Sequence, residues 1–443
     1  METKLKRIAE ISKTRPLEKF NNIIHLINID MLRMCHNELE GNKATGIDGV
    51  TKDIYASNLQ ENLENLLARL KKFGYRPQPV RRVYIPKPGS DKMRPLGIPT
   101  HEDKIVQMAM TKILTAIYEP HFLEYSYGFR TQRNCHKALA TITYFLEYKR
   151  TNYIVDADIK SFFDNVNHEW LIKFIEHRIS DEKFVRLLKR ILKSGLVEDG
   201  LFTETEVGTP QGGVISPILA NIYLHYVLDL WFEKKIKTKS DYNAHMVRYA
   251  DDFVCCFQSK REAYEFYEEL KERMNKFGLQ MAEDKTKIVM FGKYANENSR
   301  RITGKKPETF DFCGFTHYCS LSHKGNFRVK RKTAKKKRTA SKAKIKKWIK
   351  ENMHEREMWL IKSLNLKLTG YFNYYGITDN GREIQRMRRF VVNTLFKSLR
   401  KRSNRHRLTW ESYSNIFKTY LLVKAKVSVN IYEIMGSLNL SKL

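Results

Sequence analysis

Two adjacent acids interrupt a stretch that otherwise reads as buried β-structure. In MVRYADDFVCCF, residues 246–257, apolar residues lead up to Tyr249 and Ala250, Asp251 and Asp252 follow, and the apolar run resumes at Phe253. Neighbouring carboxylates at a tight turn repel each other and lose hydration, a cost that a cation in the gap relieves. A second acid cluster, Asp156, Asp158 and Asp164, lies in VDADIKSFFD. If residues 153–158 form a strand, alternation puts Asp156 and Asp158 on one face. An acid from one strand and a pair from a neighbouring hairpin can hold two Mg²⁺ about 3.5–4 Å apart. Mg²⁺ suits such a site because it takes oxygen ligands, often one or two carboxylates plus substrate phosphates; Mn²⁺ is the substitute. Either cluster alone is compatible with a solvated acidic turn, so the pairing carries the argument.

The surrounding pattern supplies strands to bring together. Residues 1–75 read as helices ending at Gly41 and Gly74, around a loop GNKATGIDGVT. VRRVYIPKPGSDKMRPLGIPT reads as a hairpin, and helical periodicity returns in EDKIVQMAMTKILTAIYEPHF. From residue 152 the order is strand, helix over 169–196, Gly-rich turn and long helix, the strand pair around Asp251, a helix over about 260–277, and the strand TKIVMFG. That alternation, with acids at strand ends, indicates an α+β catalytic core.

Composition narrows the partner. The chain has 443 residues, with 81 Lys and Arg against 49 Asp and Glu, a net charge of +32. Such a field favours a polyanion, most simply nucleic acid. No uninterrupted apolar stretch reaches the length of a membrane span, and the N-terminus lacks a signal-peptide core, which argues for the cytoplasm, nucleoid-associated in a bacterium, and against a membrane. None of the six cysteines forms a C-x-x-C pair, so neither a zinc ribbon nor a disulfide framework is indicated. Residues 330–350 hold 12 Lys or Arg and no acid. That is too one-sided for an ordinary solvated helix face.

YADD (249–252), DADIKSFFD and GTPQGGVISPILANIYL resemble the palm of reverse transcriptases in identity, order and spacing. RPLGIPTHEDKIVQMAMTKILTAIYEPHF, SYGFR, GTPQGG and FDFCGFTHY resemble, more narrowly, group II intron-encoded reverse transcriptase/maturases. The resemblance implies a right-hand polymerase with fingers, palm and thumb. Residues 1–100 are expected to be N-terminal extension and fingers, 101–320 the catalytic core, 321–403 a helical thumb or maturase X domain, and 404–443 a short basic region able to bind DNA. No endonuclease domain is expected, since no cysteine follows Cys319.

Carried over residue by residue, the resemblance implies metal binding by Asp158, Asp251 and Asp252, with the backbone of Ile159. Phe163, five residues after Asp158, matches the ring that excludes a ribose 2′-hydroxyl, with Phe162 as rival. Gln211 and Gly212 match residues lying against the incoming dNTP. Lys87 and Arg94 match residues that neutralise its triphosphate, with Lys92 competing for the second role. Phe312, Cys313, Gly314 and Phe315 resemble a primer grip. Lys330, Arg331, Lys332, Lys335, Lys336, Lys337 and Arg338, with Tyr371, Tyr374 and Tyr375, are the expected RNA contacts.

The implied activity is RNA-directed DNA synthesis on an RNA template with primer. The implied partners are the host group II intron RNA, whose splicing the protein assists, target DNA during intron mobility, and a second copy of the chain. Two alternatives stand beside it: a splicing factor with a vestigial polymerase, and a free-standing relative with a host or defence role.

Overall fold

The computed structural model describes residues 2–86, 93–198, 200–204, 206–209, 212–402, 409–419 and 421–439. Its N-terminal part is helical: α1 (Glu2–Thr14), α2 (Ile29–Glu38), α3 (Lys52–Ala56) and α4 (Leu59–Lys71). Asn28 and Thr51 start α2 and α3 by accepting from the amides of Met31 and Ile54. The expected hairpin follows as β1 (Val80–Pro86) and β2 (Met93–Ile98), then α5 (His101–Tyr118), α6 (Cys135–Tyr148) and β3 (Tyr153–Ala157). Helices α7 (His168–Glu176) and α8 (Glu182–Leu192) precede the short strands β4 (Leu196–Glu198) and β5 (Leu201–Thr203), which extend the β1–β2 sheet.

The long helix starts as α9 (Ser216–Leu224) and continues through two π-helical turns to α10 (Lys237–Lys239). Strands β6 (His245–Tyr249) and β7 (Asp252–Phe257), α11 (Lys260–Lys276) and β8 (Lys287–Met290) come next, then α12 (Ala295–Thr303). Strands β9 (Phe310–Phe312), β10 (Phe315–Leu321) and β11 (Phe327–Thr333) form a separate small sheet. The chain ends in α13 (Lys335–Glu351), α14 (Glu357–Tyr375), α15 (Gly381–Leu399), α16 (Trp410–Thr419) and α17 (Ile431–Gly436).

The central sheet has the order β6-β7-β3-β8, antiparallel at every junction. Val155, Ala157, Phe253, Cys255 and Phe257 point into one core with α5, α9 and α11. Ile154, Val247, Val254, Cys256 and Val289 point into a second, with α6, β9–β11 and α17. Both faces are covered, which is why the strands read as continuous apolar runs rather than alternating ones.

The thumb helices share a third core that includes Ile349, Leu364, Leu368, Met387 and Val391. The C-terminal tail is woven into both neighbours. Tyr413 and Leu422 pack into the thumb core, while Ile431 and Met435 pack into the second core. The boundary expected at 404 is therefore not a break in packing. The basic run is also divided, with Lys330–Lys332 in β11 and the lysines from Lys335 in α13.

One buried charge organises the centre. Arg248 on β6 is fully buried; its Nε donates to Asp229 Oδ1 at 2.7 Å and its Nη2 to Asp229 Oδ2 at 2.5 Å. Nη1 donates to Asn221 Oδ1 (3.1 Å) and to the Ala250 carbonyl (2.9 Å). Removing one member of such a pair leaves the other charged and dry. Asp229→Ala is expected to lower the unfolding free energy by about 3–5 kcal/mol. Asp241→Ala, which breaks a solvent-exposed pair with Arg261, is expected to change it by less than about 1 kcal/mol. Urea denaturation of both variants measures the difference.

Candidate active site

The β3–β7 register pairs Asp156 with Val254 and Ala157 with Phe253. Continued by one residue, it sets Asp158 opposite Asp252, where directly opposed side chains have Cβ atoms about 4.5–5.5 Å apart. Alternation puts Asp156, Asp158 and Asp252 on the face shared by Ile154 and Val254. Asp251 sits in the two-residue turn between the paired residues Tyr249 and Asp252. The turn requires Ala250 at φ 59°, a left-handed position where glycine is usual. Its neighbour Gly128, in SYGFR, has no room for a side chain, because a Cβ there would lie 2.2 Å from the Ala250 nitrogen.

The acids disturb one another's titration. Burial raises Asp252 well above the ordinary aspartate range, and the charges of Asp156, Asp251 and Asp158 add to the effect. Burial likewise raises Asp251, with Asp158 contributing. Asp156 is pushed up to about 7 by burial and by the charge of Asp311. Two backbone amides of the β9–β10 hairpin work the other way: Asp311 N–H donates to Asp156, and Cys313 N–H donates to Asp252. An ammonium already stands at the rim, since Lys285 Nζ lies 2.5 Å from Asp158 Oδ2. Sequence reasoning missed this lysine, which precedes β8 in EDKTK.

The donor set fits a hard cation. Among the described residues no three His, Cys, Asp or Glu side chains close into a cage. The rim is open, as suits Mg²⁺ that keeps water and takes substrate phosphate oxygens. Ile159 forms a bridge with Met281 in which the flanking bonds are made by Asp158 O and Lys160 N, so its own carbonyl is not used in that bridge.

The two candidate gate rings differ in burial. Phe162 is 2 % exposed and packs against Tyr223, so it is core, whereas Phe163 is only half-buried. The amide of Thr209 donates to the Phe163 carbonyl at 2.7 Å, bringing Gly208 and Thr209 against the turn that carries Phe163. Gly212, at φ 109°, faces β2, and a Cβ there would meet Gly97 O at 3.0 Å. Arg94 on β2 is exposed and its charge reaches Asp251, whose titration it lowers. Lys87, its neighbour Lys92 and Gln211 lie outside the described residues.

The hairpin of the expected primer grip turns its side chains inward. Phe312 and Phe315 are 1 % and 0 % exposed and Cys313 is 7 % exposed, so these side chains face the core. Cys313 and Gly314 form a two-residue turn with both φ angles positive, and only backbone is available to a primer there.

Comparison with known proteins agrees with this geometry. A reverse transcriptase (RNA-dependent DNA polymerase) family model matches residues 85–317, more than half of the chain. A group II intron maturase-specific domain model matches residues 338–415. The group II intron-encoded protein LtrA of Lactococcus lactis subsp. cremoris is 30% identical over 481 aligned residues, covering 94% of this chain and 80% of LtrA. The chain belongs to the group II intron-encoded reverse transcriptase/maturases. Protein YkfC of Escherichia coli strain K12 is 36% identical over 56% of this chain and 73% of its own. A putative COX1/OXI3 intron 1 protein of Saccharomyces cerevisiae is 28% identical over 64% and 39%, respectively. The reverse transcriptase/maturase is an RNA-directed DNA polymerase of the right-hand type, and its family works with divalent metal ions.

The expected RNA contacts divide by exposure. Lys332, Lys335, Lys336 and Lys337 are exposed, Lys330 is half-buried, and the half-buried Arg338 is paired with Glu383 at 2.8 Å. Arg331 is corrected: it is fully buried, donates to Thr143 Oγ1 at 2.9 Å and faces Asp379, so it holds β11 to α6 rather than touching RNA. The three tyrosines are half-buried. Tyr374 stacks on Phe315 (ring centroids 5.8 Å) and its hydroxyl donates to the Cys313 carbonyl at 2.8 Å, while Tyr375 packs on Tyr371 at 4.6 Å. They join α14 to the β9–β10 hairpin, with Tyr374 and Tyr375 both packed on Phe315. The exposed aromatic of α14 is instead Trp359, stacked on Trp348 of the basic helix α13. KKWIK was the signal that sequence reasoning passed over. Among the described residues no helix is long and apolar enough to cross a membrane.

The raised carboxyls fix the sign of a pH effect. Their folded form holds protons that the unfolded chain releases, so stability falls as pH rises between the ordinary aspartate value of 3.8 and about 7. In chelator, the melting temperature at pH about 7.5 is expected to lie below that at pH about 5, with Asp156→Asn reducing the difference. Mg²⁺ at the higher pH is expected to raise the melting temperature of the wild type but not of Asp251→Ala/Asp252→Ala.

Proposed function

We propose that the rim of Asp158, Asp251 and Asp252 carries template-directed DNA synthesis on intron RNA, with two Mg²⁺ as cofactors. The opposition of Asp158 to Asp252, with Asp251 at the adjoining turn, is the observation that carries this reading. Bound there, the ions supply Lewis acidity to the attacking 3′-hydroxyl and the leaving pyrophosphate. The protein's own residues position the reactants. Asp158 and Asp252 hold one face of the metal site, fixed by the sheet register. Arg94, with Lys87 as partner, receives the triphosphate of the incoming dNTP from the fingers side. Phe163 stands where a ribose 2′-hydroxyl would arrive, Gly212 lies against Gly97 of β2, and Gln211 is assigned to the dNTP by its sequence match.

The basic face of α13 binds the host intron RNA, and the same protein assists its splicing and copies it at a target DNA during intron mobility. Residues 1–100 serve as N-terminal extension and fingers, 101–320 as the catalytic core, and 321–403 as thumb.

Primer extension on an RNA template with Mg²⁺ and dNTPs is expected from the wild type. Asp158→Ala, Asp251→Ala and Asp252→Ala are each expected to reduce it by about 10²–10³-fold or more. A folded wild type that binds RNA without extending a primer would sink the polymerase reading. For RNA binding, Lys335→Ala/Lys336→Ala/Lys337→Ala is expected to lower the slope of log K against log salt by about 2–3, roughly one per lost phosphate contact. Filter binding across a salt series reads that slope. Arg331→Ala is expected to lower stability and leave the slope unchanged.

A further inference from the structure

The turn that carries Phe163 is clasped by a second segment, and a histidine holds the clasp. Residues 163–167 and 207–209 run side by side: Thr209 N–H donates to Phe163 O at 2.7 Å, Gly208 N–H donates to Val166 O at 2.8 Å, and Asn167 bridges Val207. Gly208 is at φ 90°, and a Cβ there would lie 2.9 Å from Asp164 O and 3.0 Å from Phe163 O. The closeness of the two segments therefore depends on that glycine. The Gly208 carbonyl accepts from His168 Nε2 at 2.6 Å, and His168, at the first turn of α7, is 8 % exposed. Its Nδ1 is buried without a partner, so the ring is tied down through this one bond. A carbonyl only accepts, so Nε2 carries the proton; burial, which lowers the His168 pKa, favours the same neutral form.

We infer that His168 is a positioning residue for sugar discrimination, holding Gly208 and Thr209 against the turn so that Phe163 cannot retreat from a ribose 2′-hydroxyl. The inference rests on the proposed gate role of Phe163. A steric gate rejects the wrong sugar by a clash, and the clash survives only while the ring's backbone is prevented from shifting. His168 touches neither nucleotide nor metal acid in this arrangement. Its effect passes through two hydrogen bonds to backbone carbonyls, from the His168 side chain to Gly208 O and from Thr209 N–H to Phe163 O.

The test is single-nucleotide primer extension on an RNA template, taking the ratio of kcat/KM for a dNTP to that for the matching rNTP. His168→Gln keeps an amide N–H near the Nε2 position, whereas His168→Asn places its amide near Nδ1. The Asn variant is expected to lower the ratio about tenfold, mainly through better use of the rNTP, and the Gln variant to stay within about threefold of wild type. Equal ratios in the Gln and Asn variants, with Phe163→Ala collapsing the ratio, would overturn the role of His168. An unchanged ratio in Phe163→Ala would overturn the gate reading itself, and the inference with it. Because the readout is a ratio within each variant, a loss of folded protein common to both substrates cancels.

Discussion

The centre of this protein depends on a guanidinium that water never reaches. Arg248 holds Asp229 through two bonds, Asn221 through a third and the Ala250 carbonyl through a fourth. Asn221 in turn donates to the Gly128 carbonyl at 2.7 Å, and Gly128 lies directly against Ala250. The left-handed turn bearing Asp251 is thus fixed from the long helix, from the SYGFR loop and from its own strand. Strain at one residue, of order 1–2 kcal/mol for a left-handed alanine, persists because its surroundings leave the chain no alternative. A buried charge pair is seldom a large source of stability by itself. Here it orients the turn that carries Asp251.

Electrostatic tension at the rim follows from the same packing. The sheet brings Asp156, Asp158 and Asp252 onto one face, and the turn adds Asp251, so the folded chain concentrates negative charge before any cation arrives. Lys285 offsets part of it at Asp158, and two hairpin amides offset part at Asp156 and Asp252. The amide of Cys313 thereby connects the acid to the thumb, because the Cys313 carbonyl accepts from Tyr374 of α14. One short hairpin therefore touches both Asp252 and α14. Its aromatic residues serve that junction, with Tyr374 stacked on Phe315.

Charge on the outer surface has a different logic. The lysines of α13 have few acids to pair with, Lys347–Glu351 at 3.8 Å being one such contact, and the same helix carries Trp348, stacked on Trp359. Lys367 lies 4.8 Å from the Trp348 ring. Of the two rings Trp359 is exposed and Trp348 half-buried, and an exposed ring near ammonium groups suits the bases and phosphates of RNA. Arg331 has the same charge and lies between two of these lysine-bearing segments, yet it is spent on Thr143 and Asp379 inside the fold. Alternation along β11 separates the two uses, sending Arg331 inward and its neighbours Lys330 and Lys332 towards solvent.

Much of the site was legible in the chain. The acid pair between apolar strands, the spacing from Asp158 to Phe163 and the glycine-rich GTPQGG are local patterns, and local geometry alone places acids at strand ends and turns where glycine must be. The alternation of strands and helices likewise followed from periodicity. What the sequence left open were questions of which side chain faces where once distant segments meet. Phe162 and Phe163 are chemically identical neighbours, and only the packing of Tyr223 against one of them makes it core. Arg331 reads as an RNA contact because charge is visible in sequence and burial is not. Lys285 meets Asp158 across 127 residues, and Arg248 meets Asp229 and Asn221 through a helix crossing that no short motif encodes. The sequence by itself determined the chemistry and the polyanionic partner, because these reside in residue type and short spacing. Tertiary structure decided which charges are buried, since burial depends on what the rest of the chain stacks above each residue.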